Sequence, residues 1–542
     1  MTSQSCVKPF SLDKKDGSLV EKSWLKQDHG RFSWLMYNFE IDEDQIRGTV
    51  ETANLELLGL TQQTERSLNT FQIICGGWNI CNSWAGIVGT LAIGISQGGT
   101  VLLLYGIILI MVIVGLCTAT LAELSSVYPT AGGQYHWTSI LSPAKCSRVL
   151  SYCCGAINIF SWVSISAGVT ILPAEFIISM VVYNDPTYNS RTWHSFLIYQ
   201  TANIIVLLYN IFAMKRTSWI HDVGFVVSLS SFLVIFITCL ARAPHMQTSQ
   251  FVWTTFINQS GWKSNGVAFL TGLINPNYIY AGIDGAIHLA EECGDASTAV
   301  PYALMSTLVI GFLTSFAFVV AMFYCMTDMD AVIHTATGVP IYEIWVQATR
   351  SNIASTVFIC LLACIAFFSL NGCQQTASRL TWAFARDDAL VMSKYLGVIN
   401  SRFQVPIYAL CANSAVVFII GCIYLASSTA FNALIGTGLV LQQVSFCFPA
   451  ALLLYRRRSS TYLPSTRSFK LGVLGWVSNV VTVAFGCVTL IFYSFPSEMP
   501  ATGGNMNYTC VVIGTMAVFS LGNWFLYARK HYQGPRLPTD LT

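Results

Sequence analysis

Charged side chains are scarce in this sequence of 542 residues, of which 10% are Asp, Glu, Lys or Arg. A soluble globular protein carries about 25% charged residues, so the composition excludes that class. Hydrophobic residues make up 54% of the chain. Nineteen of the charged residues lie in the first 68 positions, and a long apolar body begins near Asn69. The sequence therefore indicates an integral membrane protein with a polar amino-terminal segment.

Motifs for enzymatic or nucleic-acid chemistry are also missing. There is no G-x-x-x-x-G-K-[ST] loop for ATP, and no cluster of His and Cys has metal-ligand spacing. The net charge is only +2, without a basic cluster that would indicate nucleic-acid binding. No early apolar run predicts a cleavable signal peptide. We therefore expect no enzyme activity, no cofactor, no metal and no nucleic-acid partner.

The eighteen cysteines do not have the distribution of a disulfide framework. Most lie inside apolar runs, where a free cysteine packs as a small hydrophobic residue. We expect this packing role for Cys75, Cys81, Cys117, Cys239, Cys364 and Cys422.

Long apolar runs dominate the rest of the chain. A membrane-spanning helix needs about 20 predominantly apolar residues. We predict an all-α integral membrane protein with twelve transmembrane helices between residues 69 and 530, flanked by a polar tail (1–68) and a short tail (531–542). The predicted spans are 69–95, 99–125, 149–182, 193–213, 217–240, 264–290, 303–326, 352–384, 405–425, 430–454, 471–494 and 508–528.

Lysine and arginine residues predict the orientation of these spans. With the amino-terminal tail in the cytoplasm, sixteen Lys and Arg residues beyond position 68 lie on the inner side and four on the outer side. This bias follows the positive-inside rule. The N-x-S/T sequons at Asn258 and Asn507 both fall in predicted outer loops, where they could be glycosylated. We predict a multi-pass plasma-membrane protein with both termini in the cytoplasm.

Two predicted spans, the first and the sixth, are interrupted by small and polar residues. The first contains Ile80–Gly89 (ICNSWAGIVG) and the sixth contains Tyr278–Ala286 (YIYAGIDGA). Backbone groups freed by a break at membrane depth cannot be satisfied by lipid and are expected to line a cavity. A matched pair of broken helices predicts a transporter binding site. The alternative is that the glycines only allow close helix packing.

Two acidic residues stand out at membrane depth. Asp284 lies inside the second break, so it could meet a substrate cation or carry a coupled proton, or simply cap the broken helix. Glu123 lies near the inner end of the second span, where it could act in gating or proton coupling, or pair with a loop arginine. We expect Arg379 to snorkel to the cytoplasmic surface. His136 and His288 stand alone, which favours a surface or core role.

Aromatic residues in the breaks could bind a cationic ligand. Trp84 and Tyr280 each stand in one break, and Trp162 lies midway along the third span. Ring faces attract quaternary ammonium groups, although most membrane aromatics serve packing or anchor the helix at an interface. Backbone N–H groups of the first break could hold a carboxylate. The candidate binding residues are Asn82, Ser83, Trp84, Ala85, Gly86, Trp162, Tyr280, Gly282, Asp284 and Gly285.

Several longer stretches resemble a known family. After the second span the chain reads AELSSVYPTAGGQYHW (122–137), and further stretches read GLINPNY (272–278), DGAIHLAEE (284–292) and SRLTWAFARD (378–387). Together they resemble the amino acid/choline transporter family of the amino acid–polyamine–organocation superfamily. The resemblance runs from about residue 57 to residue 530 and is greatest to fungal choline permeases, with 4-aminobutyrate carriers sharing the pattern.

This resemblance implies a fold and an activity. The fold would be two inverted five-helix repeats plus two further helices, and the activity uptake by alternating access, usually with proton symport. Residues 69–530 would then be a permease domain whose broken first and sixth helices bind the ligand, with contributions from the third, eighth and tenth. The expected substrate is a small amine such as choline or an amino acid. A nutrient-sensing receptor with the same fold is the alternative.

Overall fold

A computed structural model describes residues 62–185 and 187–535. This part of the chain is helical and contains no β-strand, apart from one isolated bridge between Leu68 and Cys293. Ten of its helices are long and apolar enough to cross a membrane. The all-α integral membrane fold is therefore confirmed, and the count of twelve spans stays a prediction. Most of the two predicted tails, 1–68 and 531–542, lies outside the described residues.

The ten long helices follow the predicted spans closely. They are α1 (Leu91–Ser125), α2 (Ser147–Asn184), α3 (Thr192–Phe212), α4 (Ile220–Arg242), α5 (Ala296–Cys325), α6 (Asn352–Arg386), α7 (Ile407–Ala426), α8 (Ser428–Tyr455), α9 (Leu474–Phe492) and α10 (Thr509–Asn523). Shorter helices in the connections are Gln134–Leu141, Ser249–Thr254, Met329–Ile333, Pro340–Thr349 and Ser393–Leu396. Helix α10 continues through a π-helical turn, Trp524–Ala528, to Arg529–His531.

The first and sixth predicted spans are broken, as the sequence predicted. The first broken segment comprises Thr70–Cys81, Ser83–Gly86 and the 3-10 turn Val88–Thr90. The second broken segment comprises Asn265–Gly272, Ile274–Asn277, Tyr278–Tyr280, Gly285–His288 and Ala290–Glu292. A capping box between Asn69 and Gln72 begins the first segment, since each side chain bonds the backbone N–H of the other residue.

The bundle has two distinct ends. One carries buried Glu–Arg pairs formed by residues 123, 291, 292, 379, 386, 458 and 467, and we call it the ion-pair end. The opposite end carries Asn258 and Asn507, and we call it the sequon end. The amino-terminal segment reaches the ion-pair end, where Thr64 Oγ1 donates to the Glu291 carbonyl oxygen (2.9 Å) and Leu68 N donates to that of Glu292 (3.0 Å).

The largest cluster of buried apolar residues includes parts of both broken segments, and five smaller clusters lie between the other helices. The predicted packing role of the cysteines fits this core, since Cys75, Cys81, Cys117 and Cys239 are free and buried. Cys364 and Cys422 are also free but lie on the exposed surface of the bundle. That surface carries many large apolar side chains, as expected of a face in contact with lipid.

Candidate substrate cavity

The first break is a single left-handed residue. Asn82 has φ 36° and ends the helix that begins at Thr70. The carbonyl groups released near both breaks are bonded by hydroxyl groups. Ser369 Oγ donates to the Ile80 carbonyl oxygen (2.9 Å), and Ser83 Oγ donates to the Ile279 carbonyl oxygen (2.6 Å). Ser83 therefore links the two broken segments by a hydrogen bond, at a depth where lipid could not satisfy the free carbonyl group.

The second break needs glycine at its centre. Gly282 has φ +82°, which favours glycine over any residue with a Cβ atom. A Cβ atom on Gly282 would lie 2.7 Å from Ile80 Cγ2, and one on Gly285 would lie 2.6 Å from Ile80 Cδ1. In this structure Gly282 and Gly285 therefore pack closely against the Ile80 side chain, and neither lines the cavity between the broken segments.

A cavity of about 510 Å³ lies between the two broken segments and extends to the sequon end. Asn82, Ala85 and Gly86 line it from the first segment, and Tyr278 and Ala281 from the second. Most of the remaining wall comes from α2, α6 and α8, which correspond to the third, eighth and tenth predicted spans, and α1, α9 and α10 contribute a few residues. Its mouth is bordered by exposed residues of the loop between α9 and α10, including Ser497, Gly504 and Met506. A volume of this size is typical of a small-molecule site.

Trp84 and Tyr280 do not line this cavity. Trp84 is fully buried, and its Nε1 donates to Ser228 Oγ on α4 (3.0 Å). Tyr280 is also fully buried, and its hydroxyl donates to the Leu308 carbonyl oxygen on α5 (3.0 Å). Both rings therefore pack against helices on the side away from the cavity, so in this structure they form no aromatic cage.

Asp284 is enclosed by donors. Its carboxylate accepts hydrogen bonds from Gln134 Nε2 (2.7 Å) and Gln442 Nε2 (2.8 Å). Trp162 Nε1 (3.3 Å) and His288 Nε2 (3.2 Å) complete the shell. All of these groups are buried, and none lines the cavity. The structure thus brings Trp162 and Asp284 together, on the ion-pair side of Ile80, and gives His288 a partner that sequence reasoning missed.

The hydrogen bonds of His288 determine where its protons lie. Its Nδ1 is 2.8 Å from the Ala131 carbonyl oxygen, which can only accept, so Nδ1 carries a hydrogen. Its Nε2 faces Asp284 Oδ2, and two lone pairs would repel one another at that distance. One further proton therefore lies between Asp284 and His288.

Glu175 is the acidic residue that sequence reasoning overlooked. It lies on α2, inside the predicted third span, two residues after Pro173. Its side chain is exposed and lines the cavity, and it is the one charged group among the described lining residues. The rule that singled out Asp284, an ionisable residue within a span, would also have found Glu175.

The ion-pair end is closed by buried charge pairs. Arg386 holds Glu291 through two hydrogen bonds (2.8 and 3.0 Å), and the same carboxylate accepts from Ala131 N (3.1 Å). Arg379 Nε donates to Glu292 (2.7 Å). Arg379 is 1% exposed, so the prediction that it snorkels to the surface is wrong. A carboxylate partner within reach makes burial of the guanidinium possible.

Glu123 also belongs to this end. It is fully buried and accepts hydrogen bonds from Arg458, from Arg467 (3.0 Å) and from Leu471 N (3.1 Å). This is the structural alternative named from the sequence, a pair with loop arginines. A role for Glu123 in gating or proton coupling remains a prediction.

Two groups next to the ion pairs, outside the spanning helices, have shifted pKa values. Burial lowers the pKa of His136 to about 4, and the positive charge of Arg386 acts in the same direction. Burial raises the pKa of Asp387 to about 6, although Arg386 and a hydrogen bond from Tyr135 oppose the shift. His136 is therefore neutral at physiological pH, and Asp387 gains a proton in mildly acidic conditions.

Both sequon asparagines have hydrogen-bonded side chains. Asn258 Nδ2 donates to the Trp262 carbonyl oxygen (2.9 Å). Asn507 Nδ2 donates to the carbonyl oxygens of Tyr493 (2.7 Å) and Phe495 (3.0 Å), and Asn507 also lines the cavity. Glycosylation at either position stays a prediction, and at Asn507 it would compete with these contacts.

Comparison with known proteins agrees with this architecture. The family model described as "Amino acid permease" matches residues 68–516. The chain is 36% identical to the choline transporter of Saccharomyces cerevisiae, over 86% of this chain and 82% of the yeast protein. It is 32% identical to the swainsonine transporter of Arthroderma benhamiae, over 87% of this chain and 92% of that protein. It is 28% identical to the 7-keto 8-aminopelargonic acid transporter of S. cerevisiae, over 83% of this chain and 90% of that protein. These matches identify a membrane transporter rather than an enzyme, and the chain belongs to the amino acid permease family.

Proposed function

We propose that this permease imports a small cationic or zwitterionic amine, such as choline or an amino acid, by alternating access. The observation that carries the proposal is the cavity between the two broken segments, which extends to the sequon end, while ion pairs close the opposite end. Such an arrangement is expected of a carrier whose site faces one side of the membrane at a time.

The direction of transport depends on the orientation. Of the nineteen described Lys and Arg residues beyond position 68, fifteen belong to the ion-pair end, which favours the cytoplasmic side for that end. In this orientation both termini are cytoplasmic, and the cavity takes substrate from outside the plasma membrane. Release to the inside requires movement of Ile80 and separation of the pairs made by Glu291 and Glu292.

We further propose that substrate uptake is coupled to a proton held by Asp284 and His288. The contact between His288 Nε2 and Asp284 Oδ2 requires one proton, and the pair lies between the Ile80 side chain and the closed end. His288 also binds the Ala131 carbonyl oxygen, and Ala131 N binds Glu291. Loss or gain of that proton would therefore affect the contact of His288 with Ala131, and through Ala131 the position of Glu291 at the ion-pair end.

Among the candidate binding residues, Asn82, Ala85 and Gly86 are the best placed to touch substrate, because they line the cavity. Ser83 and Trp162 would position the broken segments, and Gly282 and Gly285 would provide close packing. Trp84 and Tyr280 would contact the ligand only if the segments rotate during transport.

The names of the relatives suggest substrates for the first assay. The yeast choline transporter and the 7-keto 8-aminopelargonic acid transporter are named for compounds that carry an amine nitrogen. Uptake of radiolabelled choline and 4-aminobutyrate would be measured in cells that lack their own permeases for both. We expect saturable uptake of at least one, stimulated by an inward proton gradient and abolished by a protonophore. Uptake equal to that of empty cells for a panel of cationic and zwitterionic amines would contradict the proposal.

A further inference from the structure

We propose that Glu175 is the cation-binding residue of this permease and that it selects substrates carrying a permanent positive charge, such as a quaternary ammonium. This inference rests on the proposed function, because it names the substrate class of the same cavity. Neither the resemblance of the sequence nor any candidate drawn from it points to this residue.

The first argument is charge. Glu175 lies on a membrane-spanning helix, where a carboxylate without a partner is costly. No hydrogen bond or ion pair to a described residue satisfies it, in contrast to Asp284 and Glu123, whose oxygens are surrounded by donors. The described lining of the cavity includes no Lys, Arg or His. A cation from solution would therefore be the first positive charge that the Glu175 carboxylate meets.

The second argument is the composition of the wall. Aromatic side chains line the same cavity: Phe176, Tyr278, Phe492, Tyr493 and Phe495. Ring faces and a carboxylate together attract a quaternary ammonium, which has no N–H group to donate and so needs no directional acceptor. The polar lining groups near the mouth, such as Asn505 and Thr509, could hold a substrate hydroxyl.

The third argument is distance. Glu175 lies thirteen residues beyond Trp162 on α2, which is about 20 Å along a helix axis. Trp162 bonds Asp284, so the two carboxylates lie at different depths. A small amine cannot reach both at once. Glu175 would therefore bind the cation near the sequon end, while Asp284 and His288 hold their proton deeper in the bundle.

The experiment compares Glu175→Gln with Glu175→Asp and with Glu498→Gln in the full chain. Glu498 provides the matched control because it is exposed beside the mouth but does not line the cavity. The competitors are choline and its neutral carbon analogue, in which carbon replaces the nitrogen. Uptake of radiolabelled choline would be normalised to the amount of protein at the cell surface, so that a folding defect is separated from a binding defect.

We expect Glu175→Gln to raise the KM for choline about tenfold or more, since hydrogen bonds and contacts to charged groups contribute about 1.5–3 kcal/mol and 1.4 kcal/mol corresponds to tenfold. Choline should outcompete its neutral analogue in wild type but not in Glu175→Gln. Glu175→Asp should recover part of the preference, and Glu498→Gln should behave as wild type. An unchanged KM and an unchanged preference in Glu175→Gln, with wild-type uptake intact, would overturn this inference alone. Failure of wild type to transport any amine would instead contradict the proposed function.

Discussion

His288 lies one helical turn after Asp284, and its Nε2 is 3.2 Å from Asp284 Oδ2 in a fully buried position. The other imidazole nitrogen bonds the Ala131 carbonyl oxygen, so the pair must share one proton. This arrangement explains why an acidic residue can persist inside a broken membrane helix: its oxygens are hydrogen-bonded by a partner of the same segment and by amide donors from two other helices.

We predict that Asp284→Asn uncouples transport from protons. The amide keeps most of the hydrogen bonds but leaves no proton to share with His288. Net uptake driven by a proton gradient should fall roughly tenfold or more, because loss of one buried interaction worth about 1.4 kcal/mol already corresponds to a factor of ten. Exchange of internal for external substrate, which needs no net proton movement, should persist.

The matched control for that variant is Asp330→Asn. Asp330 and His334 form the same i,i+4 pair (3.3 Å), but both side chains are exposed. Its uptake should equal that of wild type. Unchanged uptake and unchanged pH dependence in Asp284→Asn would rule out both the proton-carrying and the cation-binding role of that carboxylate.

Trp84→Phe tests whether this ring binds substrate. The ring packs 5.3 Å from Phe318 and 6.0 Å from Phe232 (centroid distances), and a phenyl group would keep those contacts. We expect the KM for choline to change by less than about twofold, while the free energy of unfolding falls by about 1 kcal/mol through loss of the bond to Ser228. A tenfold higher KM, with a normal amount of the variant at the cell surface, would contradict this expectation and indicate that the Trp84 ring contacts substrate. Trp193→Phe, on the exposed surface, is the control.

Arg379→Gln should destabilise the protein severely. The buried pair with Glu292 would leave an uncompensated carboxylate, which costs about 3–5 kcal/mol. The double variant Arg379→Gln with Glu292→Gln should recover much of that loss, because neither charge of this pair remains. The stability of the single and the double variant would be measured by thermal unfolding in detergent. Lys215→Gln is the control, because its pair with Glu65 is solvent-exposed and contributes less than about 1 kcal/mol. A double variant as unstable as the single one would show that packing of the arginine dominates.

Asp387→Asn should change how stability depends on pH. Burial raises the pKa of Asp387 from 3.8 to about 6, so the ionised carboxylate destabilises the fold above pH 6. Wild type gains stability as pH falls from about 6 towards 3.8, and Asp387→Asn lacks this gain. At pH 7.5 the variant should melt about 2 °C higher, since the amide can still accept from Tyr135. Below pH 3.8 the difference should vanish.

The neighbouring Asp388→Asn provides the comparison for that titration. Asp388 is exposed and has φ 59°, a conformation that asparagine tolerates. Its melting temperature should still fall as pH rises past the pKa of Asp387, with the transition moved slightly to lower pH, because the charge of Asp388 contributes to that raised pKa. A pH profile of Asp387→Asn identical to that of wild type would show that the buried carboxyl does not titrate in this range.

Much of the fold follows from local properties of the chain. Runs of about 20 apolar residues predicted the ten long helices to within a few residues at most boundaries, but α1 begins eight residues and α5 seven residues earlier than expected. The early part of α1 belongs to the first predicted span and meets the second at Gly99, whose backbone is not helical. The positions of both breaks were also predictable, because Asn82 and Gly282 favour left-handed backbone and neighbour other small residues. The buried helix Gln134–Leu141 was not expected, since it is too short to cross a membrane and has no amphipathic signal that stands out from a loop.

The site was predictable only in part. The spacing of Asp284 and His288, four residues apart, places them on one helix face, yet nothing in their own segment reveals Gln134, Trp162 or Gln442 as the further donors. Those contacts join residues more than a hundred positions apart. Trp84 occupies the break as predicted, but its direction depends on Ser228 and Phe318, which belong to other helices.

The amino-acid sequence by itself determined that this chain enters a membrane and where its helices break, because apolar length and backbone preference are properties of short stretches. Only the tertiary structure decided which side chains meet. The rotation of each helix about its axis is set by packing against its neighbours, and that rotation turns Glu175 into the cavity and Trp84 away from it. The sequence of a span does not reveal which face of the helix lines the cavity and which face packs against neighbouring helices; the bundle decides this.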